Sequence, residues 1–266
     1  MILVGTSGYS YLNWVGPFYP EGTKRDDMLQ YYAARFPLTE LDFTYYQMPG
    51  LKTMEGLARK SPPGFSFAVK AHRDMTHNKA LSASGREEAT RLFYGALAPL
   101  RERGKLSCIL LQFPYAFQKN PSNMDALARF RDWIPDAPLV VEFRHISWVN
   151  EDTFDFLRGN GYNFCCVDEP ALAGLFPPLA VATGPIGYIR FHGRNKAKWW
   201  RHKEAWERYD YLYSDAELME WIPKIRILEK HTDTLLILFN NCHFGQAVRN
   251  ALKLQKTLFQ GINPVN

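Results

Sequence analysis

"GTSGYS", residues Gly5 to Ser10, follows directly on the aliphatic run "MILV". A first strand that feeds a dinucleotide-binding doubly wound sheet is followed by G-x-G-x-x-G, whose tight turn brings a pyrophosphate onto a helix N-terminus. Here Gly5 and Gly8 are spaced differently, and the chain enters a long aromatic loop, "SGYSYLNWVGPFYPEGTKRD" (Ser7 to Asp26), before any helix. The doubly wound alternative loses its signature. The remaining arrangement for a chain of repeated βα units is a closed (β/α)8 barrel.

The rest of the sequence supplies the repeats. Aliphatic or β-branched runs alternate with longer amphipathic stretches, the pattern of a parallel sheet covered by helices. Strands are predicted at Ile2 to Thr6, Leu38 to Asp42, Phe65 to Lys70, Leu106 to Gln112, Leu139 to Phe143, Asn163 to Val167, Gly187 to Phe191 and Thr234 to Phe239, each followed by a helical stretch. Arg86 to Arg103 reads as one amphipathic helix ending before Gly104, and Ser214 with Glu217 forms a capping box opening Asp215 to Lys230. Eight such units in about 250 residues suit a TIM-type barrel. The expected organisation is α/β, one domain over residues 1–266, with long loops after strands 1 and 7.

With 46% hydrophobic and 22% charged residues the chain can bury a full core, which excludes a disordered protein. Lys plus Arg exceed Asp plus Glu by 32 to 27, a mild bias toward anionic partners. No apolar run reaches membrane-spanning length, and the first six residues enter a strand without a basic leader, so the expectation is a cytoplasmic protein with no membrane partner. Cys108, Cys165, Cys166 and Cys242 lack CxxC spacing and read as buried thiols.

In a barrel of this kind chemistry sits at the carboxyl ends of the strands, and here those ends are polar. Strand 1 offers Thr6 and Ser7, strand 2 Glu40 and Asp42, strand 3 Lys70 and His72, strand 4 Gln112, strand 5 Glu142 and Arg144, strand 6 Asp168, strand 7 Arg190 and His192, and strand 8 Asn240 and Asn241. Buried charges are costly unless paired, so the set implies either an ion-pair network plugging the barrel or a wet, ligand-ready pocket. The candidate catalytic residues are Glu142, His192, Glu40 and Asp168, with Glu142 and His192 as the proton-transferring pair. Lys70, Arg144 and Arg190 are candidates for holding a phosphate or carboxylate. Asn240, Asn241, Trp199 and Tyr46 complete the candidate binding set. A second anion position is expected where the last helix starts near Gly245. His72, His77 and His145 read as surface or helix-capping residues.

Glu142, Asp168 and His192 are the set that would hold zinc or manganese, but no HxH or HExxH spacing accompanies them, and no metal or nucleotide cofactor is assigned. After strand 7, "NKAKWWRHK" (Asn195 to Lys203) interleaves cations with Trp199 and Trp200. It is read as a lid over the mouth, with stacking on nucleic acid as the alternative.

Taken in order, "VGTSGYSYLNWVGPFYPEG", "TELDFTYYQMP", "FSFAVKAHRDMTH", "LLQFPYAF", "VVEFRHISW", "RFHGRN", "RYDYLYSDAEL" and "FNNCHFGQAVRNA" resemble the DUF72 or YecE-like family over almost the whole chain. The resemblance implies a TIM-type barrel, a relation to sugar isomerases and a barrel similar to that of endonuclease IV, with no settled reaction. Asp42 departs from the family pattern "VEINSTFY", which carries Asn there. The functional expectation is therefore an enzyme using acid–base chemistry on a small anionic ligand, a phosphorylated sugar-like or nucleotide-like molecule. The alternatives are a nucleic-acid-binding protein or metal-dependent nuclease, and a non-catalytic ligand-binding barrel.

Overall fold

The aliphatic runs become strands because successive side chains point to opposite faces, one set filling the interior and the other packing under helices. In the computed structural model, which describes residues 1–260, they are β1 (Ile2–Ser7), β2 (Leu38–Leu41), β3 (Ser66–Lys70), β4 (Leu106–Gln112), β5 (Leu139–Glu142), β6 (Tyr162–Asp168), β7 (Ile186–Phe191) and β8 (Thr234–Phe239). All neighbours are parallel, in sequence order, and the barrel closes where β8 pairs with β1 from Ile2↔Leu235 to Thr6↔Phe239. The fold is a (β/α)8 barrel. The last six residues of the expected 1–266 domain lie outside the described residues.

Six of the eight strands differ from prediction by a single residue at one or both ends, and β4 and β8 match. β2 stops at Leu41 because Asp42 already has helical backbone angles and leads into Phe43–Tyr46. The helix predicted over Arg86 to Arg103 begins earlier, at Ala83, capped by the Ser82 side chain, and breaks at Leu97. A second piece, Ala98–Glu102, starts there with Pro99, which has no N–H to continue the first. The Ser214–Glu217 capping box is present, but its helix, Asp215–Met219, gives way to Ile222–His231, again opened by a proline, Pro223.

One prediction fails outright. No helix separates β6 from β7; residues 169–185 form an irregular connection. Pro170, Pro177, Pro178 and Pro185, with Gly174 and Gly184, interrupt every stretch long enough to complete two helical turns.

The two long loops are packed structure. After β1, Trp14 and Tyr19 are fully buried, the Trp14 indole donating to the Cys242 carbonyl at 2.7 Å and the Tyr19 hydroxyl to the Tyr9 carbonyl at 2.5 Å. After β7 the chain must turn sharply: Gly193 has φ +90°, and a Cβ there would meet Tyr211 Cβ at 2.7 Å. Among the described residues no helix is long and apolar enough to cross a membrane.

Candidate functional site

Register fixes which strand residues share the interior. Ser7 pairs with Glu40, Glu40 with Ala68, Gln112 with Glu142, Cys165 with Tyr188, and Arg190 with Leu238. Where barrels of this type ordinarily stack branched aliphatic side chains, this one encloses a chain of charges. The Tyr188 hydroxyl donates to Glu40 Oε2 at 2.6 Å, and Arg190 Nη2 donates to Glu40 Oε1 at 2.5 Å. Arg190 Nη1 donates to Glu142 Oε2 at 2.7 Å. Arg144 Nε lies 2.5 Å from Glu142 Oε1, and Arg144 Nη1 donates to Glu169 Oε2 at 3.0 Å. His192 Nε2 lies 3.2 Å from Glu142 Oε1, while its Nδ1 meets the Asn240 amide nitrogen at 3.1 Å.

Burial and pairing compete at each carboxylate. Burial would raise Glu142, but Arg144, Arg190 and His192 outweigh it and hold the carboxyl well below its usual range. Glu40 has less counter-charge, since it shares Arg190 with Glu142 and Asp42, so burial wins and pushes it up to about 7. Burial likewise lifts Glu169 to about 7 against the pull of Arg144. His192 is driven well below its ordinary value by burial and by Arg144, leaving a neutral imidazole against an ionised carboxylate.

Above this network a cleft of about 390 Å³ opens at the carboxyl ends of β3 to β5. Its cations are Lys70, Arg144 and Arg208; its rings include Tyr45, Tyr46, Tyr115, Trp199, Trp200 and Tyr209; no Asp or Glu lines it. Arg144 connects the two levels, pinned from below by two carboxylates while its Nη2 has no partner among the described residues. Lys70 sits over the Tyr45 ring, 4.7 Å from its centre and 3.6 Å from Asp42. Arg208 makes no ion pair among the described residues; its guanidinium donates to the Trp199 carbonyl at 3.1 Å and lies 5.3 Å from that indole.

The expected site residues therefore separate into three groups. Lys70, Arg144, Trp199 and Tyr46 line the cleft. Glu40, Glu142, Arg190 and His192 lie beneath it with no exposure, and Asn240 supports His192. Asp168 and Asn241 are not brought to this group. With Cys165 inward against Glu142 (3.8 Å), alternation turns Asp168 outward, where it accepts from Arg194 Nε (2.9 Å) and Nη2 (2.7 Å), Tyr213 (2.7 Å) and Trp221 (2.6 Å). Asn241 likewise bonds the Tyr211 carbonyl and Asn250. Glu142, Asp168 and His192, the set that would have held zinc or manganese, is thus split across two faces, and among the described residues no cluster of His, Cys, Asp or Glu is placed to hold a metal.

The start of the final helix does not border the cleft. Gly245 packs toward Pro17, and Gln246 is occupied by Asp210 and the Tyr211 N–H. His72 and His145 cap short helices through their ring nitrogens. His77, expected to do the same, instead lines the cleft, its Nδ1 2.8 Å from the Thr76 hydroxyl. Arg208, Glu169, Tyr115 and Tyr209 join the site without having been singled out. Only Glu169 had a readable signal: it follows Asp168 and has the opposite, inward parity.

Residues 3–264 match the family described as "Protein of unknown function DUF72". The chain belongs to the DUF72 family. The UPF0759 protein YunF of Bacillus subtilis is 30% identical to this DUF72 member over 99% of this chain and 98% of its own length. A DUF72 protein of Thermotoga maritima is 41% identical, with a TM-score of 0.89 over 97% of this chain and 99% of that one. One from Enterococcus faecalis is 28% identical, with a TM-score of 0.86 over 97% and 95%. These relatives carry no stated reaction, so the chemistry of this DUF72 barrel rests on its own residues.

Proposed function

We propose that this DUF72 barrel is an enzyme for a small anionic, ring-bearing ligand, a phosphorylated sugar or a nucleotide. The observation that carries this reading is the composition of the cleft: three cations and six aromatic rings with no carboxylate. Guanidinium forks suit phosphate, and flat rings suit a sugar face or a base. Lys70, Arg144 and Arg208 hold the anion. Arg190, fully buried between Glu40 and Glu142, supports the floor and does not meet ligand. Glu142 and His192 lie behind Arg144 and position it. Proton transfer at the ligand then falls to His77, which burial, Lys70 and Arg144 push down to about 4, leaving its imidazole neutral and able to accept a proton.

The test uses glucose 6-phosphate and AMP as probes, titrated by calorimetry against the wild type and the Lys70→Ala and Arg208→Ala variants. Saturable binding weakened at least about tenfold in each variant is expected, the value of one charge-assisted hydrogen bond. Binding unchanged in both variants, or absent for both probes, overturns the reading.

A second reading, single-stranded nucleic acid laid across the mouth, draws on Trp200 and Trp206, 50% and 47% exposed beside exposed Arg201 and Lys203, with Trp206 stacked on His243 at 4.1 Å. Anisotropy of a labelled oligothymidylate, with affinity falling steeply as salt rises, supports it; salt-independent or absent binding rejects it.

A further inference from the structure

A second cleft of about 300 Å³ lies beside the first, between the turn after β3 and the helix Pro121–Trp133, and the two share His77 and Pro114 as a common wall. Its floor is apolar, built by Phe113 and Phe117 stacked at 4.1 Å. Its polar lining includes Asn78, Ser122 and Asn123, and its charges are Lys79 and Arg86, both cationic. No Asp or Glu lines it, as none lines the first. Neither Lys79 nor Arg86 forms an ion pair among the described residues; Arg86 reaches only the Asn78 carbonyl, at 3.5 Å. Asp74, four residues before Asn78, is engaged by the Asn78 amide at 2.9 Å and by His72, and Asp125 lies on the far side of Arg86, outside this cleft.

Two adjoining clefts of similar size, each cationic and each free of carboxylates, repeat one chemistry on either side of a single histidine. We propose that the second cleft is a binding site for a second anionic group of the same ligand, so that the ligand carries two phosphate-like ends and spans His77. This rests on the anion-binding reading of the first cleft. It adds that the ligand is at least doubly anionic, and that its central part, not one end, faces the His77 ring. Guanidinium and ammonium groups without carboxylate partners keep their full donor capacity for such a group. The apolar floor lowers the local dielectric, so each contact counts for more than it would on an open surface.

Fructose 6-phosphate and fructose 1,6-bisphosphate serve as a matched pair of probes, compared by calorimetry at fixed ionic strength. The expected result is that the bisphosphate binds at least about tenfold more tightly, one further charge-assisted contact. A Lys79→Ala, Arg86→Ala double variant should remove that advantage while leaving the monophosphate affinity and the thermal midpoint as in wild type. A bisphosphate that binds no more tightly than the monophosphate, or a double variant that weakens both probes equally, overturns the second site while the first stands. Binding of neither fructose probe overturns the second site, and with AMP and glucose 6-phosphate also failing to bind it overturns the first.

Discussion

His192 Nε2 lies 3.2 Å from Glu142 Oε1, and both side chains are completely buried. That carboxylate also faces Arg144 and Arg190, so one negative charge answers two guanidiniums and an imidazole. Replacing Glu142 by Gln removes the carboxylate that both guanidiniums share, leaving Arg144 with Glu169 and Arg190 with Glu40 and Asp42 in a buried network that is short of negative charge. The expected cost is about 3 kcal/mol or more, read as a fall in the urea midpoint of unfolding. A Glu142 that serves proton transfer, the role the sequence suggests, predicts instead a Gln variant that folds normally and fails only in function, and an unchanged midpoint would support that role.

Asp168 makes a contrasting case. Its four hydrogen bonds tie β6 to Arg194, Tyr213 and Trp221, all in or beyond the long connection after β7. Asp168→Asn is expected to speed hydrogen exchange through residues 193–214 and to leave binding of fructose 6-phosphate within about threefold of wild type, since no atom of Asp168 lines the cleft. Loss of binding with unaltered exchange would return Asp168 to the site.

Glu40 and Glu169 set a pH dependence. Each has its folded value raised from 4.5 to about 7, so the native state holds a proton that the unfolded chain has released. The associated stability is fully present below about pH 4.5 and is lost as pH rises through about 7, roughly 3 kcal/mol for each group. Glu142, held well below its usual range, contributes a constant amount over that window. Urea unfolding between pH 5.5 and 7.5 should combine this fall with an opposing rise below about pH 6.5 from His72, His77 and His192, all held below their ordinary value of 6.5, and Glu40→Gln should remove part of the falling component. An identical slope in the variant would show that Glu40 is already ionised throughout.

Trp200 is half exposed at the edge of the cleft, 5.1 Å from Tyr115, whereas Trp199 is buried beside it. Ligand entering the cleft should change the fluorescence of Trp200. Trp200→Phe is expected to keep the thermal midpoint and lose most of the ligand-dependent signal, and a full signal in that variant would remove the loop from the site.

Much of the barrel could be read directly because periodic patterns determine it. The β4 and β8 runs, Leu106–Gln112 and Thr234–Phe239, are found where they were predicted. What the pattern could not give was parity in β6: "YNFCCVD" is buried on both faces, so no alternation reveals that Cys165 points in and Asp168 out. Arg208 was equally hidden. It reaches the cleft from a short 3₁₀ helix, Ala205–Tyr209, 17 residues beyond β7, through contacts with Trp199 that no local spacing encodes. Pro170, Pro177 and Pro178 did announce the missing sixth helix, but the expectation of a regular repeat overrode them.

Arg190 has a consequence for how the barrel assembles. It reaches from β7 to Glu40 on β2 and Glu142 on β5, strands that are not neighbours in the sheet. The amino-terminal four strands thus carry Glu40 without the guanidinium that neutralises it, and the carboxyl-terminal four carry that guanidinium. A half-barrel folding alone would enclose an acid whose counter-ion is still unformed chain. Ring closure and neutralisation of Glu40 are therefore one event, which favours cooperative folding of the whole chain and disfavours a stable intermediate built from the amino-terminal half alone.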